Sequence, residues 1–199
     1  MADLPIKDKI TYAALDLFSQ KGYDSTTVDE IADAAGMKGP NLYYYFKKKE
    51  DILQNIASIA DVPYQGMFGY DNDAPIWIHN GEELKEFSWF LVKHTMDDEL
   101  TVKLRKFCTI EQFRDSEVIR KLADHQYEVV LNLYIKLFSD MIKNGKAKDC
   151  NPNALALQFT APISILIQLS DRQPNRRDEA MDMMNKHMDS FIDTYIIKE

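Results

Sequence analysis

Lys38, Gly39 and Asn41, the consecutive tyrosines Tyr43, Tyr44 and Tyr45, and Lys47, Lys48 and Lys49 put hydroxyl, amide and ammonium groups into one twelve-residue stretch. Such groups bond phosphate oxygens and base edges, so the chemistry on offer is recognition. Three adjacent helical residues point about 100° apart, so the three rings cannot all be buried. If Leu42 and Phe46, four apart, form the inward stripe, then Asn41, Tyr44 and Tyr45 face outward with Tyr43 on the flank. Catalysis finds no comparable support. His79, His94, His125 and His187 have no H-x-x-x-H spacing, and neither a G-x-S-x-G turn nor a phosphate-cradling glycine loop occurs. Asp71, Asp73 and Glu82 match three positions of a calcium loop, but Pro75 takes the fifth and Ile76 replaces the glycine of the sharp turn. Cys108 and Cys150 lack C-x-x-C spacing. The expectation is a protein that is not an enzyme, with no catalytic residue, metal site or cofactor.

The elements that must position the cluster are signalled locally. Thr27 opens a helix with Glu30 three residues on, the capping box in which two orphan amides are satisfied reciprocally. Asp29 and Glu30 also sit at the positive end of the helix dipole. Val28, Ile31, Ala32 and Ala35 share one face, and Gly36 supplies the left-handed residue that ends this short helix. Met37 plugs the corner, Pro40 suits a first helical turn, and Asn41–Phe46 forms the second helix. Helix, glycine turn and short helix is the helix-turn-helix pattern. Upstream, Ile6–Gln20 places Ile10, Ala14, Leu17 and Phe18 on one face and is closed by Gly22. Downstream, a helix from Lys49 turns Ile52, Leu53, Ile56, Ile59 and Ala60 inward.

The run from Lys7 to Ala57 resembles the N-terminal DNA-binding domain of TetR/AcrR-type transcriptional regulators. The residues that carry the resemblance are Ala13, Ala14, Phe18, Gly22, Tyr23, Thr27, Val28, Ile31, Ala32, Ala35, Gly36, Leu42, Tyr43, Phe46, Lys49, Glu50 and Leu53. Their order and spacing fit without a gap. Tyr45 stands where the family most often has histidine, and Pro40 where it often has glycine. Carried over residue by residue, the resemblance implies that Thr27, Tyr43, Tyr45, Lys48 and Lys49 position phosphates, while Lys38, Gly39, Asn41 and Tyr44 lie where bases are read.

The rest of the chain reads as all-helical. An irregular stretch from Pro63 to Gly81 follows a helix end expected at Asp61–Pro63. Leu84, Phe87, Phe90, Leu91 and His94 then form one stripe, and Glu99–Phe113 carries Val102, Leu104, Phe107, Cys108 and Ile110. A long helix runs from about Ser116 to Lys143. Asn153–Leu169 is apolar nearly all round, and Met181, Met184, Met188, Phe191 and Tyr195 line the last helix. These two helices either cap the monomer core or are covered by a partner chain. Hydrophobic residues make up 45% and charged residues 28% of the 199, a globular composition. No uninterrupted apolar run approaches about 18 residues and the N-terminus has no apolar signal region, so the expected location is cytoplasmic. The net charge of −8 argues against a strongly basic nucleic-acid binder. Screening beyond about 8–10 Å leaves the local field of Lys38 and Lys47–Lys49 to decide the matter.

The resemblance implies an all-α fold of about nine helices: an N-terminal three-helix bundle with the helix-turn-helix at residues 1–48, and a helical ligand-sensing and dimerisation domain at 49–199. It implies a repressor bound to a palindromic double-stranded operator and released by a small-molecule effector, dimeric through its last two helices. Candidate pocket residues are Trp77, Trp89, Phe90, His94, Phe107, Glu111, Tyr127, Tyr134, Phe159 and Gln168, because bundle interiors hold apolar ligands fixed by a few polar groups. Glu111, if it faces inward, favours a cationic effector over a purely apolar one; otherwise it pairs with Arg114 or Lys103. The alternatives are a helical interaction protein without DNA function, and a DNA binder controlled by a protein partner.

Overall fold

The computed structural model describes residues 4–60 and 78–198. Among these are nine α-helices: α1 (Ile6–Lys21), α2 (Val28–Ala34), α3 (Gly39–Leu42), α4 (Lys49–Ala60), α5 (Gly81–Asp97), α6 (Glu99–Glu111), α7 (Glu117–Lys143), α8 (Pro152–Arg172) and α9 (Arg177–Tyr195). A single 3₁₀ turn, Pro174–Arg176, separates the last two. The only strand-like pairing among the described residues is an isolated bridge between Ala147 and Ile196. The helix end expected at Asp61–Pro63, the irregular stretch up to residue 77 and the pocket candidate Trp77 lie outside the described residues.

The chain forms two compact units. One contains α1–α4, α6 and α7 as far as Gln126; the other contains α5 to Met96, α7 from Tyr127, α8 and α9. In the first unit the core beneath the helix-turn-helix is built from Ile10, Ala14, Leu15 and Phe18 of α1, Ile31 and Ala32 of α2, Leu42, and Ile52, Leu53 and Ile56 of α4. The same core takes in Leu104, Phe107 and Cys108 of α6 and Ile119 and Leu122 of α7. Phe107 stacks on Phe18 with ring centroids 5.5 Å apart. Burial pushes the Cys108 thiol up to about 12, which suits a small apolar filler rather than a reactive group.

The second unit is centred on packed aromatic rings: Tyr134 and Phe138 of α7, Phe159 of α8 and Phe191 of α9, with Phe159 and Phe191 in edge contact at 4.7 Å. Met184 and Met188 are fully buried beside them. The start of α8 is capped by Asn151, whose side chain accepts from the amides of Asn153 and Ala154, as Asp98 in the first unit caps α6 by accepting from the amide of Thr101. The inward stripe of α5 differs from the expected one. Leu84, Ser88, Leu91, Val92 and Met96 are buried, whereas Phe90 is 55% exposed. Ser88 can occupy the core because its hydroxyl donates to Leu84 O at 2.6 Å and accepts from the Tyr134 hydroxyl at 2.8 Å.

Candidate nucleic-acid interface

The scaffold of the helix-turn-helix is held by short-range bonds. Thr27 Oγ1 accepts from the Glu30 amide at 3.2 Å while Glu30 Oε2 accepts from the Thr27 amide at 2.8 Å, completing the capping box. Lys21 approaches the other carboxylate oxygen at 2.5 Å. Lys21 first, and the Thr27 donors after it, hold the Glu30 carboxyl down at about 2. At the other end of α2, Gly36 adopts φ +73°, its amide bonds Asp33 O at 3.0 Å, and the Met37 amide bonds Ala32 O at 2.9 Å. This pair of bonds is a Schellman motif, and it sets the direction in which the chain leaves α2.

The recognition segment starts earlier and is shorter as a regular helix than the spacing suggested. α3 covers Gly39–Leu42, and Tyr43–Tyr45 continue as turns in which the Tyr44 amide bonds Asn41 O and the Tyr45 amide bonds Leu42 O. The tightening has a local cause. Phe46 must return to the core while α4 begins three residues later, and Asp51 Oδ2 already accepts the amides of Lys47 and Lys48 at 3.0 and 3.1 Å. Leu42 and Phe46 are buried, Asn41, Tyr43, Tyr44 and Tyr45 are exposed, and Tyr44 is the most open at 83%. Lys38, Lys47 and Lys48 are exposed around them, and Thr27 is exposed at the head of α2. Gly39 is half-buried, since a Cβ there would run into the carboxylate of Asp29. One exposed face thus carries phenol, amide and ammonium groups, chemistry suited to a nucleic-acid backbone and base edges.

Lys49 directs its ammonium at the turn between α1 and α2. Its Nζ donates to Tyr23 O at 2.7 Å and to Thr26 O at 2.8 Å and lies 4.1 Å from the centroid of the Tyr23 ring. Desolvation lowers its pKa. The ammonium therefore fixes the α1–α2 turn, a role that sequence reasoning missed because both carbonyls lie more than twenty residues away.

The described pocket candidates are divided between the two units. Phe107 belongs to the core of the first unit, and so does Glu111, whose Oε1 accepts the Tyr23 amide at 2.8 Å and whose Oε2 is 3.3 Å from Arg114. In the second unit, Tyr134 and Phe159 are closely packed core residues. Phe90 and Tyr127 are exposed, with Gln168 donating to the Tyr127 hydroxyl at 3.1 Å. Trp89 donates to Asn185 Oδ1 at 3.4 Å. His94 stands apart, because its Nε2 is buried and has no hydrogen-bond partner among the described residues. No group of histidine, cysteine and carboxylate side chains able to hold a metal occurs among the described residues.

Residues 10–56 match the family model for bacterial regulatory proteins, tetR family. Over 49 residues the chain is 49% identical to the biofilm operon icaADBC HTH-type negative transcriptional regulator IcaR of Staphylococcus aureus, and the match covers 25% of this chain and 26% of that protein. The chain therefore spans about a quarter of the length of the curated relatives it matches. Among solved structures, the complex of SmeT with triclosan is 18% identical with a TM-score of 0.73, covering 97% of this chain and 92% of that one; SmeT is the repressor of the Stenotrophomonas maltophilia multidrug efflux pump SmeDEF. A TetR family transcriptional regulator from Pseudomonas syringae is 19% identical with a TM-score of 0.67, covering 98% of each chain. These likenesses establish the fold of the chain.

Proposed function

We propose that the chain is a sequence-specific DNA-binding transcriptional repressor, released from a palindromic operator by a small-molecule effector, because residues 10–56 match the family model for bacterial regulatory proteins, tetR family, and the chain has the fold of the solved TetR-family regulators it resembles. The observation that carries the reading is the exposed face of Lys38, Asn41, Tyr43, Tyr44 and Tyr45 on a helix-turn-helix braced by a capping box and a Schellman turn. Residues 1–48 supply the DNA contacts. Lys38, Gly39, Asn41 and Tyr44 read bases, and Thr27, Tyr43, Tyr45, Lys48 and the N-terminus of α4 at Lys49 position phosphates.

Residues 49–199 supply sensing and dimerisation. Leu157 and Ile165 of α8 and Met183 of α9 are exposed apolar side chains on the last two helices, which supports their covering by a second copy. Two-fold symmetry then presents two recognition segments to half-sites about one helical turn apart. The effector is a largely apolar molecule whose polar group bonds His94 Nε2, since a buried nitrogen with no partner among the described residues calls for one. The complex of SmeT with triclosan supports a small-molecule effector of this kind. A cationic effector loses its anchor, as both Glu111 oxygens are engaged in the first unit. The protein acts in the cytoplasm, where its operator lies.

Fluorescence-anisotropy titration of the full chain with duplex from just upstream of its own coding region, against scrambled duplex at several salt concentrations, tests the reading. Tight, selective and salt-dependent binding is expected. Equal, weak binding to both duplexes overturns it in favour of a helical interaction protein, a reading to which the exposed Phe113 and Ile110 lend support.

A further inference from the structure

The turn Gly22–Thr26, through which α1 feeds the helix-turn-helix, is gripped by opposite charges from two helices of its own unit. Glu111, the last residue of α6, reaches it across 88 residues of sequence, and its Oε1 accepts the Tyr23 amide at 2.8 Å. Lys49, the first residue of α4, donates to the carbonyls of Tyr23 and Thr26. The N–H and C=O of Tyr23 are thus each held by a charged side chain. Gly22 makes the first of these contacts possible. It sits at φ +83°, and a Cβ on it would stand 2.8 Å from Glu111 Oε1 and 3.2 Å from Ile110 Cγ2. Arg114 completes the grip, forking onto both oxygens of Asp24 at 2.5 and 2.7 Å, reaching Glu111 Oε2 at 3.3 Å and lying 4.7 Å from the Tyr23 ring centroid.

Stability alone does not account for a carboxylate here. Glu111 is 8% exposed and stands at the C-terminal end of a helix, where a negative charge opposes the dipole. An apolar side chain packed beside Phe107 and Cys108 would avoid the desolvation of a charge. What the carboxylate adds is direction: it fixes one main-chain amide, and with it the course of the chain from α1 into α2.

We infer that Glu111 is a positioning residue for DNA binding, acting through the Tyr23 amide to set the angle at which α2 and the exposed face of Asn41 and Tyr44 are presented. The inference rests on the proposed DNA-binding function. It also makes the C-terminal end of α6 a place from which operator affinity can be altered without touching a residue that faces DNA.

The test compares the full-length wild type, Glu111→Ala and Glu111→Gln. Glutamine keeps an oxygen that can accept the Tyr23 amide and loses the charge that faces Arg114; alanine loses both. The readouts are affinity per folded molecule for the tightest duplex the wild type recovers from a random-sequence pool, and hydrogen exchange at the Tyr23 amide. In Glu111→Ala, exchange at Tyr23 should quicken and selective affinity fall by about tenfold, with both largely restored in Glu111→Gln. Should Glu111→Ala fail to fold, Glu111→Gln decides alone: retained affinity with a slow Tyr23 amide supports positioning through the acceptor, and lost affinity with a slow Tyr23 amide overturns it. A folded Glu111→Ala that binds the selected duplex like wild type overturns the positioning role and leaves the repressor reading intact. A wild type that selects no duplex overturns both.

Discussion

Lys49 and Tyr23 are joined at two places: the Lys49 ammonium donates to the Tyr23 carbonyl at 2.7 Å and lies 4.1 Å from the centroid of the Tyr23 ring. The same ammonium bonds Thr26 O, so one cation holds the start of α4 to the turn that precedes α2. Tyr23 in turn donates its hydroxyl to Glu50 at 3.0 Å. The order of α1, α2 and α4 around their core is therefore fixed by polar bonds at the rim as well as by Phe18, Ile31 and Leu53 within.

Lys49→Met keeps the apolar stem and removes the donors. It is expected to lower the stability of the folded chain by about 1–3 kcal/mol, because the Thr26 carbonyl loses the ammonium and the Tyr23 carbonyl keeps only the Thr26 amide at 3.2 Å. Lys48→Ala, at an exposed position, should leave stability unchanged and reduce the salt slope of DNA binding by about one. Denaturant unfolding and salt titration separate the two lysines. Equal stability in both variants would show that the Lys49 bonds contribute nothing.

Tyr44→Ala removes the most exposed ring of the recognition segment. Its thermal midpoint should match wild type, while discrimination against a base change in the operator should fall by about 1–3 kcal/mol at the position it reads. Competition anisotropy with single-base variants measures this. A uniform loss across all sequences would instead make Tyr44 a phosphate contact.

The Glu30–Lys21 pair gives a pH dependence of known sign. The Glu30 carboxyl lies at about 2 in the folded chain, below its ordinary value of 4.5. A lowered carboxyl pKa stabilises the fold above the ordinary value and ceases to do so as pH falls through the folded one. The stability difference between wild type and Glu30→Gln should therefore be largest above about pH 4.5 and shrink towards pH 2. Thermal unfolding of both proteins across that range checks it, and a difference that grows on acidification would contradict the pairing.

Ile165→Glu places a charge on the exposed apolar side of α8, where Ile165 is 65% exposed. In a chain that dimerises through α8 and α9 the substitution should shift sedimentation from dimer to monomer and weaken operator binding, with helix content unchanged by circular dichroism. A dimer that survives it puts the interface elsewhere.

By itself the sequence determined the features whose bonds are local. The capping box of Thr27 and Glu30, the left-handed Gly36 and the Leu42–Phe46 stripe each depend on residues within four or five positions, so spacing and residue type suffice to read them. The outward placement of Tyr44 follows from the same periodicity. Other features were decided by tertiary structure alone. Whether Phe90 or Ser88 of α5 enters the core depends on the helix's rotation, which is set by what Leu84 and Tyr134 offer it, and the buried serine is favoured because both its hydrogen bonds are met there. The membership of α6 in the unit beneath the helix-turn-helix, the approach of Glu111 to Gly22 and the choice of main-chain carbonyls by Lys49 all join segments more than twenty residues apart. Long flexible side chains carry no sequence signal for such partners; only the packed backbone brings donor and acceptor within reach.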